Sequence, residues 1–177
     1  MIERDPEKAK ERDARLADMQ AELTKAKGQK ALIAFRVPGF AEGFVARAGA
    51  EVRAAGDVFP QAAVTRNGGD RKEGKFDDVA GRGFMIVARN GDPAATLTPE
   101  LQAFWKRLGG SMVRVGSGPD GDGLADTEGR YLQLMDEYGC DVIVKRPDYY
   151  LFGACATVAE LPALIADLRD QLRRSGN

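Results

Sequence analysis

Apolar positions along the chain are sparse up to about residue 83 and dense and regular beyond it. After Asp5, a suitable N-cap followed by Pro6 and Glu7, the residues Leu16, Met19 and Leu23 recur at helical spacing on an otherwise charged segment that Gly28 can stop. That spacing predicts an arm with a narrow apolar stripe rather than a core helix. Between Ala31 and Pro60 only Leu32 to Phe35 reads as a short strand; Pro38-Gly39 and the glycines that follow predict irregular chain with isolated anchors at Phe40, Phe44 and Val58. Ala62 to Thr65 predicts a strand entering a turn at Asn67-Gly68, and the charged run from Asp70 to Lys75 predicts a loop longer than a two-residue hairpin.

From Phe84 the pattern sharpens. Phe84 to Ala88 is a continuous apolar run of the kind found in buried parallel strands. Thr98-Pro99-Glu100 caps a helix with Leu101, Phe104, Trp105 and Leu108 on one face, ended by Gly109-Gly110, and Met112 to Val115 is the next strand. Asp126 caps a helix carrying Tyr131, Leu134, Met135 and Tyr138, ended by Gly139; Val142 to Val144 follows as a strand and Arg146-Pro147-Asp148 turns the chain back. Thr157 and Glu160 have capping-box spacing, Pro162 tightens or delays the next helix's first turn, and Leu161, Leu164, Ile165, Leu168 and Leu172 form the broadest stripe in the chain. The order strand, helix, strand, helix, strand, strand, helix over about residues 83–173, with an extra strand near residue 63, predicts an α/β fold. Right-handed crossovers give a mixed sheet with helices on both faces, closed by an antiparallel hairpin and a helix, which is the thioredoxin-like arrangement. The division is an N-terminal helical and irregular arm and linker over residues 1–60, and a thioredoxin-like domain over 61–177.

Composition acts mainly by exclusion. With 26 basic and 27 acidic residues and a net charge of -1, the chain has no global electrostatic footprint for nucleic acid or an anionic membrane. No window approaches the roughly 18 apolar residues of a membrane span, and the charged N-terminus is unlike a secretory signal, so a cytoplasmic protein is expected. The sequence contains no histidine, which removes Ser-His-Asp triads, Cys-His nucleophiles and the usual zinc sites. Its two cysteines, Cys140 and Cys155, are too few for a disulfide scaffold. Thiol exchange needs Cys-x-x-Cys at a helix start, and the equivalent stretch here, Arg89 to Glu100, has no cysteine. A hairpin centred between Pro147 and Asp148 puts Cys140 and Cys155 nearly opposite each other, within reach of a bridge; in a reducing cytoplasm two small half-buried hydrophobes are the favoured reading.

Other candidates each have a structural alternative. Asp120 to Asp126 alternates carboxylates as some calcium loops do, yet Tyr131 stands where an EF-hand has its bidentate Glu, and an acidic loop ending in a helix cap explains it equally well. Asp77-Asp78 suggests a carboxylate pair, but adjacent side chains point apart and capping or turn formation is favoured. Arg71 to Lys75 reads as a solvated loop. Arg146 and Asp148 pair across the turn or with a neighbouring domain. Trp105, Phe104, Tyr131, Tyr138, Tyr149 and Tyr150 suit an aromatic pocket, although their spacing favours core or interface packing. No residue emerges as catalytic, cofactor-binding or metal-binding.

Three stretches carry a family resemblance: Phe76 to Phe84 (FDDVAGRGF), Asp126 to Tyr131 (DTEGRY) and Val144 to Gly153 (VKRPDYYLFG). They resemble the C-terminal domain of flavin-dependent aromatic-ring hydroxylases, in particular the 3-(3-hydroxyphenyl)propionate hydroxylase group. Asp5 to Asp13 and Phe59-Pro60-Gln61 are similar to the stretch that leads into that domain, so the resemblance covers nearly the whole chain. It implies a thioredoxin-like fold without redox function, following a larger FAD- and substrate-binding region; for the complete enzyme it implies FAD, NAD(P)H, oxygen and a phenolic substrate. Gly81-Arg82-Gly83 and Gly116-Ser117-Gly118 lack the spacing and the helix start of a dinucleotide loop, so no flavin-site residue carries over and no cofactor is expected in this chain. The expectation is a non-catalytic structural or oligomerisation module, separate or truncated, whose partner is a second copy or a flavoprotein domain. The alternative is a stand-alone binding protein or small enzyme that holds an aromatic or thiol compound.

Overall fold

Side chains alternate along the central strands and sort the core into two layers, one on each side of a mixed sheet. The computed structural model describes residues 39, 43–47, 54–66, 72–116 and 123–175. By its contacts the chain divides into Met1–Val37 and Pro38–Asn177. The first unit, with the arm and the strand at Leu32 to Phe35, lies outside the described residues, as do Phe40 and Asn67-Gly68.

The elements are β1 (Ala63–Arg66), β2 (Lys72–Lys75), α1 (Phe76–Ala80), β3 (Met85–Ala88), α2 (Pro93–Thr96), α3 (Pro99–Arg107), β4 (Ser111–Gly116), β5 (Leu124–Asp126), α4 (Arg130–Tyr138), β6 (Val142–Lys145), β7 (Leu151–Cys155), a 3-10 turn at Val158–Glu160 and α5 (Leu161–Ser175). Their order in the sheet is β2-β1-β5-β4-β3-β6-β7. The pairs β3–β4 and β4–β5 are parallel, while β1–β2, β1–β5, β3–β6 and β6–β7 are antiparallel. The run from β3 to α5 therefore builds the order β4-β3-β6-β7, the thioredoxin-like core expected from the sequence.

Met85, Val87, Ile143 and Leu151 face one layer, with Val64, Phe59, Phe76, Tyr131, Leu134 and Met135. Ile86, Ala88, Val142, Val144 and Phe152 face the other, with Leu101, Trp105, Leu161, Leu164, Ile165 and Leu168. Each of the four buried apolar side chains of α5 contributes about 1.5–3 kcal/mol by leaving water. Helix starts follow the sequence signals. Thr98 Oγ1 accepts the Leu101 N–H at 3.4 Å with Pro99 at the first helical position, whereas Thr157 makes no side-chain cap bond and its Oγ1 donates instead to Glu160 Oε1 at 3.2 Å at the 3-10 turn before α5. Pro162 stands at the second residue of α5, and the 3-10 turn takes up the residues before it. At Gly110 an added Cβ would come within 2.3 Å of Trp105 Cε2, so the indole lies directly against backbone, with its Nε1 donating to Ser111 O at 3.2 Å.

Four local expectations need correction. The charged run ending at Lys75 is not all loop: Lys72–Lys75 is β2, an edge strand whose charges suit its exposure. Leu124–Asp126 forms a three-residue strand before its helix cap acts. Asp77-Asp78 neither caps a helix nor forms a turn but sits in the first turn of a five-residue helix whose N-cap is Lys75. The hairpin register pairs Cys155 with Val142 instead of placing it opposite Cys140, and an irregularity falls between Val144 and Lys145.

Residues upstream of β1 close the other edge. Ala46 N–H donates to Phe152 O at 2.7 Å, Gly56 N–H to Leu151 O at 2.9 Å and Phe59 N–H to Tyr149 O at 2.7 Å, while Val58 bridges Tyr150. Phe44 and Val58 thus serve as anchors in irregular chain. Tyr149 takes φ 68, the left-handed region, to present that carbonyl.

Candidate functional site

In this fold the loop after the first core strand is where thiol chemistry is placed. Here it runs Arg89, Asn90, Gly91, Asp92 into α2, and charge pairing fills it. Arg89 Nε donates to Asp141 Oδ1 at 2.7 Å and its Nη1 pairs with Asp136, while Asn90 Nδ2 donates to Asp141 Oδ2 at 3.2 Å. Hydrogen bonding from Arg89 holds the Asp141 carboxyl below its ordinary value, and bonds to Asp141 and then Asp136 raise Arg89. Asp92 accepts the Ala94 N–H at 2.9 Å. Gly91 turns at φ +75, with Val158 Cγ1 only 2.7 Å from where a Cβ would stand. The network ties the loop to the end of α4 and the entry to β6; it holds no nucleophile.

The two thiols lie behind it in separate layers, Cys140 with α4 and Cys155 with α5. Both are buried and free. Burial pushes Cys140 up to about 11 and Cys155 up to about 12. At pH 8 neither thiol is therefore expected to react with DTNB in the folded chain, and both should react in urea. A Cys140→Ser, Cys155→Ser variant should match the parent in insulin reduction. Above about pH 9 the unfolded thiols lose protons that the folded ones keep, so stability should fall as pH rises toward 11. Rapid labelling of native protein at pH 8 would contradict this burial.

A second polar feature went unread in the sequence. Lys145, on the same strand face as buried Ile143, is fully inaccessible, and its Nζ lies 3.2 Å from Asp77 Oδ1. The Nζ also stands 5.4 Å from the Tyr149 ring centroid. Gln61 completes the pair: its Nε2 donates to Asp77 Oδ1 at 3.1 Å and its Oε1 accepts the Asp77 N–H at 3.2 Å. The available signal was strand parity, since a lysine two positions after Ile143 in an apolar strand must bury its charge beside a partner. Asp78 is exposed on the other side of α1, so the two carboxylates do not act together.

The remaining candidates are dispersed. Asp126 accepts N–H bonds from Arg130 (3.0 Å), Tyr131 (2.7 Å) and Leu132 (2.9 Å), which commits its carboxylate to the start of α4. Asp120 and Asp122 lie outside the described residues, among which no cluster suits a metal ion. Arg146 pairs with Asp148 across the turn at 2.5 and 3.0 Å. The sheet separates the aromatic residues: Phe104 and Trp105 pack in the α5 layer, Tyr131 and Tyr138 in the α4 layer, and Tyr149 is exposed. FAD does not fit the described residues. Gly81 and Gly83 follow a helix and precede a strand, the reverse of a dinucleotide loop, and α2 after β3 has four residues. No described helix is long and apolar enough to cross a membrane.

Comparison with known proteins adds the context that this geometry lacks. The chain is 31% identical over 115 residues to a probable NADH-specific resorcinol 4-hydroxylase of Rhodococcus jostii (strain RHA1), which covers 64% of this chain and 21% of that protein. It is 28% identical over 128 residues to a 3-(3-hydroxy-phenyl)propionate/3-hydroxycinnamic acid hydroxylase of Burkholderia cenocepacia (strain HI2424), covering 65% of this chain and 23% of the relative. The chain thus spans under a quarter of the length of these curated relatives. The crystal structure of the flavin-dependent monooxygenase PieE in complex with FAD and substrate superposes with a TM-score of 0.52 at 20% identity, over 95% of this chain and 31% of that one, a likeness of fold. Residues 56–171, which hold the sheet and the helices of both layers, match the HcaD C-terminal domain, and the chain belongs to that family, the C-terminal domain of flavin-dependent aromatic hydroxylases.

Proposed function

We propose that this chain is a non-catalytic C-terminal module of an FAD-dependent monooxygenase acting on phenol-type aromatic compounds, with a structural and assembly role. The observation that carries the reading is the loop after β3, where Arg89 bound to Asp141 and Asp136 stands in place of a reactive group. Two buried thiols that stay protonated at neutral pH and a lysine held against Asp77 support it. FAD and NAD(P)H belong to the complete enzyme and are held by residues outside this chain. The partner is a second copy or a flavoprotein domain.

The test is light scattering on the size-exclusion peak of the purified chain, with its visible absorbance recorded and a family flavoprotein domain added in a second run. A colourless dimer, or a colourless chain that co-elutes with the flavoprotein, is expected. A yellow peak would overturn the non-catalytic reading, and a colourless monomer that joins neither partner would overturn the assembly role.

A further inference from the structure

We propose that the groove between the loop after β3 and the edge of β4 binds a small organic anion with an apolar body, such as an aryl carboxylate. The groove encloses about 400 Å3, and its lining includes Arg66, Arg114, Pro93, Ala94, Met112 and Leu124. It arises from the sheet itself. β5 pairs with β4 at Val115 and Gly116 and Gly123 lies against the Arg114 carbonyl, so Met112 and Val113 have no strand on that side among the described residues. The gap opens beside the end of the loop after β3, where Asp92, Pro93 and Ala94 line it.

Charge selects the ligand class. Arg66 and Arg114 bring two permanent positive charges, against one carboxylate from Asp92 that is turned toward the Ala94 N–H. Arg66 keeps one nitrogen on Val79 O at 3.3 Å. Arg114 is exposed, and its side chain makes no hydrogen bond or ion pair among the described residues. A guanidinium presents paired N–H donors that match the two oxygens of a carboxylate. Methionine, leucine, proline and alanine around it offer an apolar bed at a volume typical of small-ligand sites. A bare inorganic anion would leave that bed wet, and the lining has no ring on which a nucleobase could stack. The site does not depend on the proposed assembly role, and its test reads a different quantity.

That test is an NMR titration of the isotopically labelled chain with benzoate, benzamide and inorganic phosphate. Benzoate is expected to move the amide resonances of Ala94, Met112 and Leu124 saturably. Benzamide and phosphate should each bind at least about tenfold more weakly, and Arg114→Gln should weaken benzoate about tenfold or more. Because Arg114 is exposed and unpartnered, the variant should keep the parent's thermal midpoint, which separates loss of the site from loss of the fold. The proposal is overturned by non-saturating benzoate shifts, by benzamide or phosphate binding as tightly as benzoate, or by benzoate binding that Arg114→Gln leaves unchanged.

Discussion

Replacing Lys145 by methionine is expected to destabilise the chain by about 3–5 kcal/mol, although methionine nearly fills the same space. The cost comes from Asp77, which is 7% exposed and would lose its buried cation, with Gln61 as its remaining side-chain donor. Lys145→Ala should cost at least as much, since it adds a cavity. The informative variant is the double replacement Lys145→Met, Asp77→Leu. It removes both charges together and should recover most of the loss, because a buried ion pair contributes little over a well-packed apolar pair. Urea unfolding at constant m value measures all three. If Lys145→Met costs under about 1 kcal/mol, the ammonium is not holding a buried carboxylate and the pair is unimportant to the fold.

This pair also marks the limit of reading the chain from its sequence. The core strands and the three longer helices were legible because each carries its own evidence: an apolar run, a cap, a stripe at helical spacing. β5 was not legible, since three residues at the end of an acidic, Gly-rich loop form a strand only because β1 and β4 flank them. Nor was β2, whose Lys-Glu-Gly-Lys sequence is that of a solvated loop until Ala63 to Arg66 pairs with it. The candidate site was less legible still. Arg89 meets Asp136 and Asp141 at separations of 47 and 52 residues, and Lys145 meets Asp77 across 68, distances over which no local pattern operates. What could be read of the loop after β3 was compositional: it has no cysteine, and thiol exchange needs a pair of them at a helix start.

Tyr131→Ala is expected to cost about 3–5 kcal/mol, and Tyr131→Phe a smaller but clear 1–3 kcal/mol, about what an unpaired buried group costs. The ring is wholly buried, stacked on Phe59 at 5.2 Å and tilted against Phe76 at 4.9 Å, with Phe59 and Phe76 themselves 4.9 Å apart. Its hydroxyl accepts the Ala62 N–H at 2.9 Å and donates to Pro60 O at 3.0 Å. Phenylalanine preserves the ring packing and strands those two backbone groups, so the Tyr131→Phe cost isolates the hydroxyl. Hydrogen exchange supplies the local readout: the Ala62 amide should lose protection in Tyr131→Phe beyond the global loss. Equal stability of Tyr131→Phe and the parent, with Ala62 still protected, would show that water or another acceptor replaces the hydroxyl at that amide. Phe76, Tyr131 and Lys145 come from the three separate stretches that carry the family resemblance, and Phe76 and Tyr131 touch each other while Lys145 pairs with the residue after Phe76. The stretches that carry the resemblance therefore meet in the packing of one layer of the domain.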